Sequence, residues 1–201
     1  MAVRRSLALA LPALAACGAQ SGTATPAPSA GVGAAPPRGS AMTLTSADLR
    51  DGGTVPPVHV YDAAGCTGGN LSPALAWSGA PAATRSYAVT VHDPDAPAAG
   101  GFWHWVVYDI PASVAALPRG AGSAGTSRLP PGTRQARSDF GDAAYDGPCP
   151  PAGPPHRYDL TVSALDVGSL NLPPGASPAQ VSFQLRTHTL ASARLTVRYG
   201  R

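Results

Sequence analysis

Residues 41–201 predict a mostly β, antiparallel domain. Short runs rich in Val, Thr, Tyr and Trp recur along them, Gly and Pro separate those runs, and helical signal is confined to two places. The length suits one ordinary domain with a real core.

The N-terminal residues stand apart from that domain. Arg4 and Arg5 precede an apolar run over residues 7–16 that is too short to span a bilayer, so residues 1–17 read as an export signal. The run ends in Leu14-Ala15-Ala16-Cys17, which resembles a bacterial lipobox. Cys17 is therefore the expected lipidation site, with an ordinary cleaved secretory signal as the alternative. Residues 18–40 are almost wholly Gly, Ala, Ser, Thr and Pro. They cannot bury enough apolar surface to offset the entropy of ordering, so a disordered tether is expected. The protein would then be exported and held at the cell envelope through the lipid alone.

Within the domain, strands are expected over residues 54–61, 86–92, 103–110, 157–165 and 195–199. A short helical turn is expected over 113–117. A stronger helix is expected from Pro178 to about His188, where Ser177 can cap, Pro178 suits the first position and Gln180 completes a capping box. Period-two counting places Tyr158, Leu160 and Val162 on one face, with His156 at the strand entrance sharing their parity. The same count groups His104 with Val106, Tyr108 and Ile110, and puts Trp103, Trp105 and Val107 on the opposite face.

All 14 basic residues are Arg and all 11 acidic residues are Asp. Loss of Arg4 and Arg5 with the signal leaves the mature chain close to neutral, without a basic run or basic aromatic face. Nucleic-acid binding is therefore not expected. With Cys17 assigned to lipid, Cys66 and Cys149 remain, an even number in an exported chain, and we expect them to pair. Closing so long a loop is worth on the order of 4–5 kcal/mol in the chain-entropy model. Two separate thiols are the alternative.

Two segments concentrate the chemistry. Asp93-Pro94-Asp95-Ala96-Pro97 precedes Phe102-Trp103-His104-Trp105, and Gly147-Pro148-Cys149-Pro150-Pro151 precedes His156-Arg157-Tyr158. Aspartates and histidines thus lie where strands meet proline-stiffened loops, which hold polar groups rigidly at a pocket mouth. His104, His156, Tyr158 and loop amides can supply the donors an anion needs. Asp93 beside an anion would repel it, so its expected part is to orient a histidine and favour its protonated form, or to accept from the ammonium of a zwitterionic head group.

These segments resemble the two signatures of the phosphatidylethanolamine-binding protein (PEBP) family, in its bacterial Raf-kinase-inhibitor-like branch. The likeness extends over nearly all of residues 42–199, including Asn70-Leu71-Ser72-Pro73, Trp77 and Asp139-Phe140-Gly141. It implies a Greek-key antiparallel β-sandwich with small peripheral helices. It also implies a ligand pocket lined by Asp93, Pro97, His104, His156 and Tyr158, with Asp95 and Arg157 in support as an ion pair or loop clasp. The pattern departs at Ala152, where a lysine is common, and lacks the extra C-terminal helix of eukaryotic members. The eukaryotic kinase-inhibitor role is not expected to transfer.

The expected function is an envelope-tethered, non-catalytic protein that recognises phosphorylated or other small anionic groups, phospholipid head groups among them. The alternative is an inhibitor or modulator of a protein partner such as a protease or kinase. A hydrolase using Asp93, Asp95, His104 and His156 comes third, because no HExxH pattern, nucleophile elbow or oxyanion hole is legible. No cofactor or metal is expected. Asp139-Phe140-Gly141 reads as a turn, and His59, His92 and His188 as structural histidines.

Overall fold

The structure, a computed structural model, describes residues 41–125 and 128–201. The expected export signal, the Cys17 lipidation site and the 18–40 tether lie outside the described residues. Five strands carry the larger sheet: β3 (Ser86–Asp93), β4 (Phe102–Pro111), β6 (Arg134–Gln135), β7 (His156–Leu165) and β8 (Thr189–Tyr199). Three short ones, β1 (Thr43–Thr45), β2 (Leu75–Ser78) and β5 (Ala116–Leu117), form the smaller sheet in the order β1-β2-β5. The larger sheet runs β6-β4-β3-β7-β8, every pair antiparallel. In it β3, β4 and β6 follow one another across the sheet and β7 returns by a long connection to lie beside β3, the Greek-key pattern.

The main core lies between the two sheets. Leu44, Leu75, Trp77 and Leu117 meet Tyr87, Val89, Val91, Leu160 and Val162 there, all buried. The other face of the larger sheet carries a smaller core of Ala88, Val106, Tyr108 and Leu165, closed by Val181 and Leu185 of helix α1 (Pro178–His188). That helix begins as its sequence predicts. The Ser177 hydroxyl accepts from the Gln180 N–H, the Gln180 side chain accepts from the Ser177 N–H, and Pro178 occupies the first turn.

The structure corrects three expectations. Residues 54–61 do not form a strand: Thr54 makes one isolated bridge to Arg198, and Pro57–His59 is a turn of 3-10 helix. Pro56 and Pro57 have no N–H to give a ladder and fix φ near the helical value. At 113–117 there is no helical turn. The Val114 N–H closes a tight turn on the Pro111 carbonyl, and Ala116–Leu117 pairs with β2 so that Leu117 is buried.

The third correction concerns β4. His92 pairs with Trp103 but Val91 pairs with Trp105, so His104 is an extra residue. A second irregularity follows, because Tyr87 pairs with Ile110 and Val89 with Val107, and Asp109 there adopts φ +57°. Each bulge shifts the alternation by one. Consequently Trp105, Val107 and Ile110 face the inter-sheet core, while Trp103, Val106 and Tyr108 face the α1 side. His104 packs its ring against Tyr158, on the inter-sheet side with Trp105, and not with Val106 and Tyr108 as strict period two required. On β7, which has no bulge before Ala164, Tyr158, Leu160 and Val162 share a face as counted.

Candidate functional site

Asp93 closes β3 and His156 opens β7, and these strands are neighbours in the sheet. The loop after β3, the start of β4, the turn at 138–141 and the 147–151 segment converge on the same corner. They enclose a cavity of about 300 Å³ whose wall includes Asp93, Pro97, His104, His156 and Tyr158, the five residues named as ligand-binding from sequence. That size is at the small end for ligand sites.

The polar part of the wall is a connected set. Asp93 is 2% exposed, and its Oδ1 accepts from the Asp95 N–H at 2.8 Å. Its Oδ2 accepts from His156 Nδ1 at 2.7 Å, in a partly buried pair. Both carboxylate oxygens are thus engaged, and the proton-bearing nitrogen of His156 points at Asp93. Tyr158 is buried beside this pair and its hydroxyl makes no hydrogen bond of ordinary geometry. Burial first, and then the neighbouring Asp93 charge, raise its pKa, so the phenol remains a donor throughout the physiological range.

His104 is fixed from behind. Its Nδ1 lies 2.8 Å from the Asp146 carbonyl, and the Asp146 N–H donates back to the His104 carbonyl at 3.0 Å. Desolvation lowers the His104 pKa despite the opposing pull of the Asp146 and Gly147 carbonyls and of Asp93, so the ring is neutral at physiological pH. The Asp146 carboxyl is itself displaced upward, chiefly by burial, and accepts from the Ser138 hydroxyl. Ser138 and Asp146 position the histidine and do not line the cavity.

Asp95 and Arg157 form a clasp outside the cavity. The Arg157 backbone N–H and guanidinium both reach the Asp95 carboxylate, at 2.8 Å and 2.6 Å. The Arg157 guanidinium holds the Asp95 carboxyl well below the usual carboxylate range. This pair ties the loop after β3 to the start of β7.

The apolar part of the wall was not legible as such. Phe102, Phe140, Pro150 and Pro151 line the cavity, and Phe140 comes from the Asp139-Phe140-Gly141 segment read as a turn. A turn it is, with the Gly141 N–H on the Ser138 carbonyl, but it also delivers an aromatic wall. Phe140 stacks on Tyr61 with centroids 4.3 Å apart and meets Phe102 edge-on at 4.7 Å. Cys149 is in the wall too, and is bonded to Cys66 across 83 residues with Cα atoms 6.0 Å apart. Arg201 reinforces that link, donating to the Pro150 and Gly65 carbonyls on the two sides of the bridge. The other histidines have local partners: His59 lies on the Leu71 carbonyl, His92 on the Gly100 carbonyl and His188 on Asp166. Among the described residues no cluster of three or more His, Cys or Asp is placed to hold a metal.

Comparison with known proteins places the chain in a family. The family model described as phosphatidylethanolamine-binding protein matches residues 45–200. The chain belongs to the phosphatidylethanolamine-binding protein family. It is 49% identical to the YbhB protein of Escherichia coli over 159 residues, 79% of this chain and all of that one. The crystal structure of E. coli YbcL, described as a member of the mammalian PEBP family, superposes with a TM-score of 0.77 at 43% identity, covering 80% of this chain and 98% of YbcL. The candidate lipoprotein LppC of Mycobacterium tuberculosis is 35% identical over 161 residues, 79% of this chain and 72% of LppC. Among the described residues of this PEBP-family chain, no helix is long and apolar enough to cross a membrane.

Proposed function

We propose that this chain is a non-catalytic binding protein, tethered at the cell envelope through Cys17, whose cavity recognises phosphorylated or other small anionic groups. The observation that carries this reading is the Tyr158 hydroxyl. The Asp93 carboxylate beside it already accepts from the Asp95 N–H and from His156 and does not meet the hydroxyl in ordinary geometry. An under-satisfied buried donor costs about 1–3 kcal/mol, a cost relieved when a ligand oxygen accepts from it. The hydroxyl lies beside the His156–Asp93 pair and His104 in a wall otherwise made of Phe, Pro, Ala and the bridged Cys149, the mixture of apolar surface and few convergent polar groups that marks small-ligand sites. The tether rests on the lipobox-like Leu14-Ala15-Ala16-Cys17 and on the lipoprotein designation of a relative.

Thermal unfolding of residues 41–201 tests the reading against inorganic phosphate, phosphoethanolamine, glycerophospholipid head groups and acetate, with His156→Ala alongside. A ligand that binds only the folded state stabilises it by about 2.7 kcal/mol at a hundredfold excess over Kd. A shift with a phosphorylated compound that disappears in His156→Ala supports the pocket. No shift with any of them removes the small-anion reading and turns attention to a protein partner. Incorporation of labelled palmitate tests the tether, and a protein with Cys17 intact that takes up no label would remove it.

A further inference from the structure

Donors and acceptors around the cavity are unequal. His104 turns Nδ1 to the Asp146 carbonyl, which can only accept, so Nδ1 carries the proton of the neutral ring and Nε2 is a lone pair. His156 turns Nδ1 to the Asp93 carboxylate. Against the His104 lone pair the cavity wall sets the Tyr158 hydroxyl. The loops add little. Pro97, Pro150 and Pro151 have no N–H, the Ala98 N–H is given to the Ala96 carbonyl and the Phe140 N–H to the Ser138 hydroxyl, so of the seven loop residues in the wall at most two can offer an amide.

Charge is unbalanced in the same direction. Among the described residues no arginine lines the cavity: Arg157 is engaged with Asp95, and Arg201 with the Pro150 and Gly65 carbonyls. The groups that face His156 are Asp93 from β3, Tyr158 on its own strand, His104 from β4 and Tyr199 opposite it on β8, with the Asp95–Arg157 clasp alongside. A dianion would therefore set acceptor oxygens against the His104 lone pair and the buried Asp93, without a guanidinium to offset its charge. A group that donates as well as accepts meets both the His104 lone pair and the Tyr158 hydroxyl.

On the reading that this cavity takes phosphorylated groups, we propose that it binds a phosphomonoester in its singly protonated form. One P–OH is donated to His104 Nε2, and another phosphate oxygen accepts from Tyr158. A phosphodiester, which has no P–OH, satisfies the hydroxyl but leaves the His104 lone pair unmet. Sites built to hydrogen-bond a particular group discriminate strongly against analogues that lack it.

Titration calorimetry with methyl phosphate and dimethyl phosphate, each in two buffers of different ionisation heat at about pH 6 and about pH 8, tests this. The second pKa of a phosphomonoester is about 6, so at the higher pH the free ligand is a dianion. Methyl phosphate binding should then take up close to one proton, and its affinity should fall about tenfold per pH unit above that pKa. Dimethyl phosphate, the stand-in for a phospholipid diester, should bind at least about tenfold more weakly. Methyl phosphate binding at the higher pH without proton uptake would overturn the proposal while leaving the anion-pocket reading intact, as would dimethyl phosphate binding equally well. If neither compound binds at either pH, the anion-pocket reading falls as well.

Discussion

Asp93 Oδ2 and His156 Nδ1 lie 2.7 Å apart, joining the last residue of β3 to the first of β7 at the mouth of the cavity. Asp93 also accepts the Asp95 N–H, so one buried carboxylate holds both a ligand-facing ring and the turn that begins the next loop. Asp93→Ala leaves two donors without their acceptor and should cost about 1–3 kcal/mol of stability in urea unfolding. Asp93→Asn keeps one acceptor oxygen and should cost less. An equal loss in the two variants would show that the carboxylate's hydrogen bonds are not what matters.

Tyr158→Phe should separate stability from binding. Beyond an approach to the Asp93 carboxylate the hydroxyl makes no hydrogen bond of ordinary geometry, so its removal should leave the unfolding midpoint unchanged or raise it by up to about 1 kcal/mol equivalent. The phosphate-induced thermal shift should shrink in the same variant. A destabilised variant that still responds fully to phosphate would contradict both parts.

His104 should not titrate in the range where an ordinary histidine does. Burial lowers its pKa from 6.5, so the folded state binds fewer protons than the unfolded chain below that value. The stability this confers is complete above about pH 6.5 and is lost as pH falls toward the folded pKa. Nitrogen NMR should show the Nδ1–H tautomer persisting at about pH 6, and His104→Gln should flatten the acid side of the stability profile. A ring that protonates with a pKa near 6.5 would refute this.

Cys149→Ser removes the covalent link between the 63–66 turn and the cavity wall. Loss of a bridge across so long a segment should cost about 2–4 kcal/mol, read as a lower guanidinium midpoint than the oxidised parent. Reductant should bring the parent down to the variant and leave the variant unmoved. If the two midpoints agree without reductant, the bridge contributes nothing measurable.

Much of this architecture was legible where local chemistry decides it. The helix over Pro178–His188 follows from Ser177, Pro178 and Gln180, whose capping bonds form within one turn. The face carrying Tyr158, Leu160 and Val162 follows because β7 keeps an unbroken alternation through them. The partners of the cavity were legible by motif, and the structure brings Asp93, Pro97, His104, His156 and Tyr158 around one space. Legibility failed where distant pairing decides. Nothing local in Phe102-Trp103-His104-Trp105 says that β3 will skip a residue there, and nothing in Asp139-Phe140-Gly141 says that Phe140 will stack on Tyr61, which lies far away in the chain. Residues 54–61 misled because their β-branched content outvoted Pro56 and Pro57 in the count.

The skipped pairing at His104 makes the site depend on counting as well as on chemistry. An unbulged strand would send this ring toward α1 and leave another side chain facing Tyr158, with every residue type unchanged. Deleting one residue from the start of β4 is therefore a more thorough way to dismantle the cavity than most point substitutions, and an inserted one is no safer. Any chain built to borrow this site must reproduce the offset between β3 and β4 before the choice of side chains begins to matter.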